Sequence, residues 1–441
     1  MGLYDAAYLQ TMADGTIKQA NPFTGTRVWT APGRGNRPLA KPPTNVRPLE
    51  DGEGERACAF CSSRYLETPP EKSRIVRDGD GWREIEHVEP EDLFKTTAEF
   101  RVIPNLFEIL SYDYWHANYG YELPASAAEA RSRYLESPAG WDHVVALQRT
   151  KMAASGMAPE SLAATSDDAV VGQATSFFGS GHDVVVARRH WIDDAVDSSA
   201  LASSGTLTPD EHNQYISLAV ADMERLYQLN PYARYVAVFQ NWLKPAGASF
   251  DHLHKQLVTI DEHGSNLTRT TEKLRANPNL FNEAGVNYAN RHNLVIAENE
   301  HAIAMAGIGH RYPTISVNSK SREPRPWRQS DDEVRGMSDL IHAIHAAIGS
   351  SVPCNEEWHH QPIDVDVRAP WRINIKLRVS TVAGFEGGTK IYINTISPTD
   401  IRDNVVPRLF ELRAQGAIAP MNIAMECSRE PNLLLYNPTL W

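Results

Sequence analysis

The sequence predicts an α+β protein in which strands, a long helix and further strands follow one another twice. Three observations carry this. Residues 209–229 and about 330–349 read as helices, one in each half of the chain. Short apolar runs read as strands on either side of them: Val184-Val185-Val186, Tyr235-Val236-Ala237-Val238-Phe239, and a run opening the second half at Asn293-Leu294-Val295-Ile296-Ala297-Glu298. The 441 residues are 42% apolar and 22% charged, enough apolar matter for a sizeable core and too much for a disordered chain. Each unit is then an antiparallel sheet with a helix across one face, the first over 1–285 and the second over 286–441.

The elements follow in order. Residues 20–56 read as irregular, because Pro22, Pro32, Pro38, Pro42, Pro43 and Pro48 exclude long helices and central strands. Phe100-Arg101-Val102-Ile103-Pro104-Asn105 is a short strand ending at its proline. The stretch 124–170, rich in Ala, Glu, Ser and Arg, is helical. Helix 209–229 opens with Thr208 as cap and Pro209 at the first helical position. Gly247-Ala248-Ser249 turns the chain into the strand Gln256–Ile260. Residues 262–290 are polar and read as a linker or loose helix. Two more strands fall near 371–380 and 389–394.

Composition excludes several classes of function. A net charge of −12, from 55 acidic and 43 basic side chains, repels a nucleic-acid backbone but leaves room for a small phosphorylated ligand. No run reaches the roughly 18 apolar residues of a membrane span, and Met1–Ile17 has no basic segment leading into an apolar one, so a cytoplasmic location is expected. Four cysteines make no disulfide framework, and Cys354 and Cys427 read as buried, inert thiols.

The residues with most chemistry are His252-Leu253-His254-Lys255-Gln256. On a strand, His252, His254 and Gln256 share one side. An imidazole there is a nucleophile, a metal ligand, or simply a polar residue on an exposed face. The preceding Gly247-Ala248-Ser249 lets backbone N–H groups approach an anion. Cys58-Ala59-Phe60-Cys61 is half of a tetrahedral metal site, with His190 and His252 as candidates for the rest; the alternatives are a redox pair and two unrelated cysteines. Gly384-Phe385-Glu386-Gly387-Gly388-Thr389 reads as a glycine-rich turn without the Lys-Ser/Thr of a phosphate-binding loop. Arg34 and Arg37 can clamp a phosphate or be merely solvated.

Together these stretches resemble the galactose-1-phosphate uridylyltransferase-like family of the histidine-triad superfamily. The matching segments, in family order over most of the chain, are Arg34-Gly-Asn-Arg37-Pro38, the Cys58–Cys61 pair, Thr68-Pro-Pro-Glu71, Arg101–Asn105, the Val184 strand ending at His190, Phe239-Gln-Asn241, Gly247–Ser249 with His252–Gln256, and Gly384-Phe-Glu386 with Tyr392-Ile-Asn394. The resemblance implies two histidine-triad-like units and one structural zinc on Cys58, Cys61, His190 and His252. It implies that His254 attacks a nucleoside diphosphate sugar, with Gln256 and Ser249 at the phosphates. Arg34, Arg37, Asn105, Asn241, Gly247, Gly384 and Glu386 would bind substrate. A nucleoside monophosphate would pass through a nucleotidyl-histidine to a sugar phosphate or to phosphate. The hydrolase branch tends to carry His where Gln256 stands, so transfer is favoured over hydrolysis. A homodimer is implied as well.

The chain also departs from the family. A His-Trp-His segment common in the second half is replaced by Pro370-Trp371-Arg372, so no second metal is expected, and Arg372 would meet a phosphate or pair with an acid such as Asp364 or Asp366. The 110–172 insertion leaves the sugar open. The Gly384 and Tyr392 segment is closer to the branch with adenylyl transfer and phosphorolysis. The alternatives are a phosphorylase or hydrolase of nucleoside diphosphate sugars or dinucleoside polyphosphates, and a zinc-stabilised binding protein without catalysis.

Overall fold

Twelve strands among the described residues join into one continuous antiparallel sheet, and four more form a small sheet beside it. The computed structural model describes residues 8–32, 45–380 and 382–440; Arg34 and Arg37 lie outside them. In chain order the strands are β1 (Leu9–Thr11), β2 (Ile17–Ala20), β3 (Arg27–Thr30), β4 (Ser73–Asp78), β5 (Gly81–Glu86), β6 (Ala98–Pro104), β7 (His182–Ala187) and β8 (Tyr235–Trp242). They continue with β9 (His254–Ile260), β10 (Val295–Glu298), β11 (Ala302–Ala306), β12 (Thr314–Ser319), β13 (Cys354–His359), β14 (Arg372–Leu377), β15 (Ile391–Ile393) and β16 (Asn422–Ile423). The large sheet runs β16-β10-β11-β12-β14-β13-β8-β9-β7-β6-β4-β5. Strands of residues 73–260 fill one half and strands of 295–423 the other. They meet where β13 pairs with β8, from Cys354 opposite Trp242 to Glu357 opposite Phe239.

Helices in the first half are α1 (Tyr112–Tyr119), α2 (Ala125–Glu136), α3 (Pro138–Ala154), α4 (Pro159–Ala164), α5 (Asp167–Gly172), α6 (Ser176–Gly179) and α7 (Pro209–Leu229). Then come α8 (Ser265–Ala276), α9 (Asn287–Arg291), α10 (Asp331–Ile348), α11 (Gly384–Thr389) and α12 (Pro398–Ala414). α7 crosses β6 to β9, α10 crosses β11 and β12, and the two pack together over the main core. α7 starts where Thr208 predicts: its hydroxyl accepts from Glu211 N–H at 3.2 Å, and Glu211 accepts from Thr208 N–H at 2.9 Å. α10 begins with the same device at Ser330 and Glu333. Gly205 lets the preceding loop lie against α10, since a Cβ there would sit 2.4 Å from the Ala346 backbone nitrogen.

The inserted helices α1 to α6 carry a small core of their own, with Tyr134, Val144, Leu147 and Phe177. His143 fastens them to the chain after the cysteine pair, its Nε2 3.0 Å from the Thr68 carbonyl.

Three local expectations are corrected. β3 lies inside the proline-rich stretch, in the short segment between Pro22 and Pro32 that proline spares. Residues 262–290 take the helical alternative and not the linker: α8, a π-helical turn over Asn282–Val286 and α9 occupy most of them. α8 buries Leu274 and reaches the N-terminal hairpin, Lys273 donating to the Pro22 carbonyl at 2.5 Å and Arg269 to that of Thr24 at 2.6 Å. Gly384–Thr389 is a short helix rather than a turn, because the Glu386 carboxylate caps the Ala383 N–H at 3.1 Å.

Candidate active site and metal centre

Strand alternation sorts the large sheet into two faces. α7 and α10 cover one. On the other, Gln256, Phe239, Glu357, Asn374 and Ser316 form one row across five strands, and His254, Asn241, Asn355 and Lys376 form the next. His254 therefore stands on the face opposite the long helices.

Beside it, Cys58, Cys61, His190 and His252 converge from three separate segments. Their ligand atoms all lie within 4.8 Å of one another and all four residues are buried. The two Sγ atoms are 3.7 Å apart, and each Sγ lies 3.4–3.7 Å from the Nδ1 atoms of His190 and His252. A tetrahedron with Zn–S of about 2.3 Å and Zn–N of about 2.05 Å requires edges of roughly 3.8 and 3.6 Å. The donor set thus fits a single tetrahedral ion. His252 Nε2 donates to the Ala187 carbonyl at 2.7 Å, which leaves Nδ1 with its lone pair facing the sulfurs. The contact between the two sulfurs lowers the Cys61 thiol well below its ordinary range, and the same contact with burial raises Cys58, the pattern of a thiol bonded to a thiolate. Among the described residues no other group of His, Cys, Asp and Glu has this arrangement.

Phe60, between the cysteines, lies over the next residues of the strand. Its ring centroid is 5.2 Å from that of His254 and 4.9 Å from that of Phe250. His254 is 5% exposed, and its Nδ1 donates to the His252 carbonyl at 2.7 Å, so Nε2 is the free lone pair. Burial pushes its pKa down to about 4, which keeps the ring neutral.

Gln256 is oriented by a residue that sequence reasoning did not single out. Ile109 N–H donates to His182 Nδ1 at 3.2 Å, so His182 Nε2 carries the proton and donates to Gln256 Oε1 at 3.0 Å. The Gln256 amide is then turned so that its NH2 group is free to donate. Burial pushes His182 down to about 4, and it stays neutral in this role. The only signal in sequence was its place at the start of the Val184 strand.

The remaining expected residues divide. Asn241 lines the same face, its Oδ1 accepting from Asn355 Nδ2 at 2.7 Å. Asn105 lies beside His182, with its Nδ2 3.1 Å from His182 Nε2 and its Oδ1 accepting from Phe107 N–H. Gly247 has φ of +91°, a conformation that side chains disfavour, in the exposed turn that also holds Ser249. Gly384 and Glu386 sit on α11, next to the small sheet, and do not line the cavity described below. Asp364 and Asp366 are not partners of Arg372: they bond His263 at 2.9 Å and Arg275 at 3.3 Å.

Behind the strand, Lys255 points into the core and donates to Glu356 at 2.5 Å, with both side chains fully buried. Glu356 also accepts from His345 Nε2 at 2.9 Å and Trp358 Nε1 at 2.6 Å. This network pins β9 to β13 and α10 directly behind His254.

Comparison with known proteins bears on this arrangement. A family model described as a domain of unknown function (DUF4921) matches residues 12–436. ADP-glucose phosphorylase of Arabidopsis thaliana is 24% identical over 398 residues, covering 86% of this chain and 90% of that protein. A crystal structure of an ADP-glucose phosphorylase from Arabidopsis thaliana with bound ADP-glucose is 22% identical, covers 88% of this chain and 97% of its own, and has a TM-score of 0.55. An X-ray structure of a GalT-like protein from the same plant gives 21% identity, the same coverages and a TM-score of 0.54. These two structures share the fold of this chain.

Proposed function

Since the chain belongs to the family described as a domain of unknown function (DUF4921), and is a divergent galactose-1-phosphate uridylyltransferase-like member of the histidine-triad superfamily, we propose that it is a nucleotidyltransferase acting on a nucleoside diphosphate sugar. The observation that carries this is His254: neutral, roofed by Phe60, with Nδ1 held by the His252 carbonyl and Nε2 free beside Gln256.

In this reading His254 Nε2 attacks the α-phosphorus. A P–N bond forms, the P–O bond to the sugar 1-phosphate breaks, and that phosphate leaves with the electron pair. The imidazolium that results keeps its Nδ1 proton on the His252 carbonyl, which stabilises the positive charge. The Gln256 NH2 group donates to a non-bridging oxygen as charge builds there. An oxygen of the phosphorylated acceptor then attacks phosphorus, and the P–N bond breaks with its pair returning to Nε2. Gln256 has no proton to give a leaving group and no basicity to activate water, which supports a phosphate acceptor over hydrolysis.

Zinc is the ion that the Cys2His2 set fits best, and when bound it supplies a structural clamp rather than a reacting group. It would hold His252 two residues from the nucleophile. The two halves of the large sheet, each with its long helix, are read as two histidine-triad-like units.

A second reading keeps the first half-reaction and makes inorganic phosphate the acceptor. The likeness to a protein named ADP-glucose phosphorylase favours it. Isotope exchange tests the shared step. Labelled sugar 1-phosphate should enter the nucleotide sugar with no second acceptor present. An absolute need for a second acceptor would contradict a covalent intermediate.

A further inference from the structure

The face that carries His254 continues past β8 into a cavity of about 910 Å³ floored by β13, β14 and β12. By strand spacing, Lys376 lies three strands from His254, roughly 14 Å away. Four cations line the cavity, Arg311, Arg372, Lys376 and Arg378, against one carboxylate, Glu357, which already accepts from Lys376 at 2.5 Å. Among the described residues the three arginines have no carboxylate partner. Arg372 is partly buried beneath the cavity and stands 4.7 Å from the Phe281 ring. Burial pushes it down to about 10, so it remains charged at neutral pH.

The unmet hydrogen-bonding groups here are nitrogens. Asn318 Nδ2 and Arg378 Nε are buried without partners, and both residues line this cavity. Unsatisfied buried donors are costly, and two beside guanidinium groups that face no carboxylate call for an acceptor with several oxygens and negative charge; Arg378 meets only the neutral Asn355 Oδ1, at 2.7 Å. The setting sharpens the point, because the chain as a whole carries a net charge of −12.

We propose that this cavity is an anion subsite for a phosphate dianion, free or as a monoester, with Arg311 and Arg378, whose guanidinium groups both lie against the Tyr312 ring, as its principal donors. As the place where the phosphorylated acceptor is held, the subsite rests on the nucleotidyl-transfer reading; as an anion site it stands without it. Arginine forks match phosphate oxygens in geometry as well as charge.

Calorimetric titration of the full-length protein with inorganic phosphate tests this. One phosphate should bind saturably per chain, and His254→Ala should bind it too, which separates this subsite from the nucleophile. Arg311→Gln and Arg378→Gln should each weaken binding by roughly ten- to a hundredfold. Thermal midpoints certify each variant, and Arg311→Gln, at an exposed position, decides if Arg378→Gln does not fold. Displacement of phosphate by a hexose 1-phosphate assigns the monoester, and failure to displace it assigns free phosphate, either one within the subsite proposed. No saturable binding to the wild type, or unchanged binding in folded variants, overturns the proposal.

Discussion

Replacing Lys255 by Met tests whether charge holds the sheet behind His254. Lys255 alternates with His254 and Gln256 and so points to the helix side, where its Nζ is 2.5 Å from Glu356 Oε1 and 3.0 Å from Gln240 Oε1. Burial lowers Lys255, but Glu356 opposes that. Burial also works against the Glu356 carboxylate, yet Lys255 and His345 outweigh it and hold it below the usual carboxylate range. The pair is therefore ionised at neutral pH. Removing one partner of a buried pair costs about 3–5 kcal/mol. Glu356 would keep its bonds from His345 and Trp358, which places Lys255→Met near the lower figure, about 3 kcal/mol. Lys255→Met combined with Glu356→Gln should recover much of the loss, because no bare charge remains. Urea unfolding followed by tryptophan fluorescence, with metal content checked, measures both. The reasoning fails if Lys255→Met lies within about 1 kcal/mol of wild type or if the second change gives no recovery. The sign with pH follows: Glu356 titrates lower when folded, so its contribution is present above the unfolded carboxylate pKa of about 4.3 and fades as pH falls below it.

Three further outcomes are expected. Gln256→Ala should slow formation of the nucleotidyl adduct by about 10²–10³-fold, the usual loss of one transition-state donor, as measured by rapid quench with a saturating donor. Stability should fall as pH drops below about 6.5, because His342 titrates at about 4 and His360 at about 3 in the fold while free imidazoles take protons earlier. Each contributes a little over 1 kcal/mol per pH unit between its unfolded and folded values, as urea midpoints from pH 8 to 4 will show. A strong chelator should expose Cys58 and Cys61 to alkylation while Cys354 and Cys427, both buried with thiols raised to about 12, stay protected; equal labelling of all four before and after chelation would show that no ion clamps the pair.

Much of this site was legible from sequence because its residues act in local patterns. The Cys58–Cys61 spacing, the strand carrying His254 and Gln256, and the Thr208-Pro209 helix start declare themselves by spacing and residue type, whereas His190 and His252 join the cysteines as one set only through the family resemblance. Thr68–Glu71 and Arg101 were matched as separate segments, and the fold explains both: Glu71 is a buried carboxylate shared by Arg74 and Arg101. What stayed hidden depends on long-range pairing. His182 gains its role only because β7 lies beside β9. Glu356 meets Lys255 across 101 residues. The cationic cavity gathers donors from β12, β13 and β14, each polar residue unremarkable in its own segment. α8 reads no more firmly than a linker or loose helix because Leu274 is the one apolar residue it buries, and α11 escaped detection because a capping carboxylate offsets the conformational freedom of its three glycines.

The central claim is that His254 becomes nucleotidylated, and intact-mass measurement of the purified protein tests it most directly. The protein would be mixed briefly with nucleoside diphosphate sugars of adenine, uracil, guanine, cytosine and thymine, alongside His254→Ala. The account predicts a mass gain of one nucleoside monophosphate with at least one donor, absent from His254→Ala. No gain with any donor, or the same gain in His254→Ala, would contradict it.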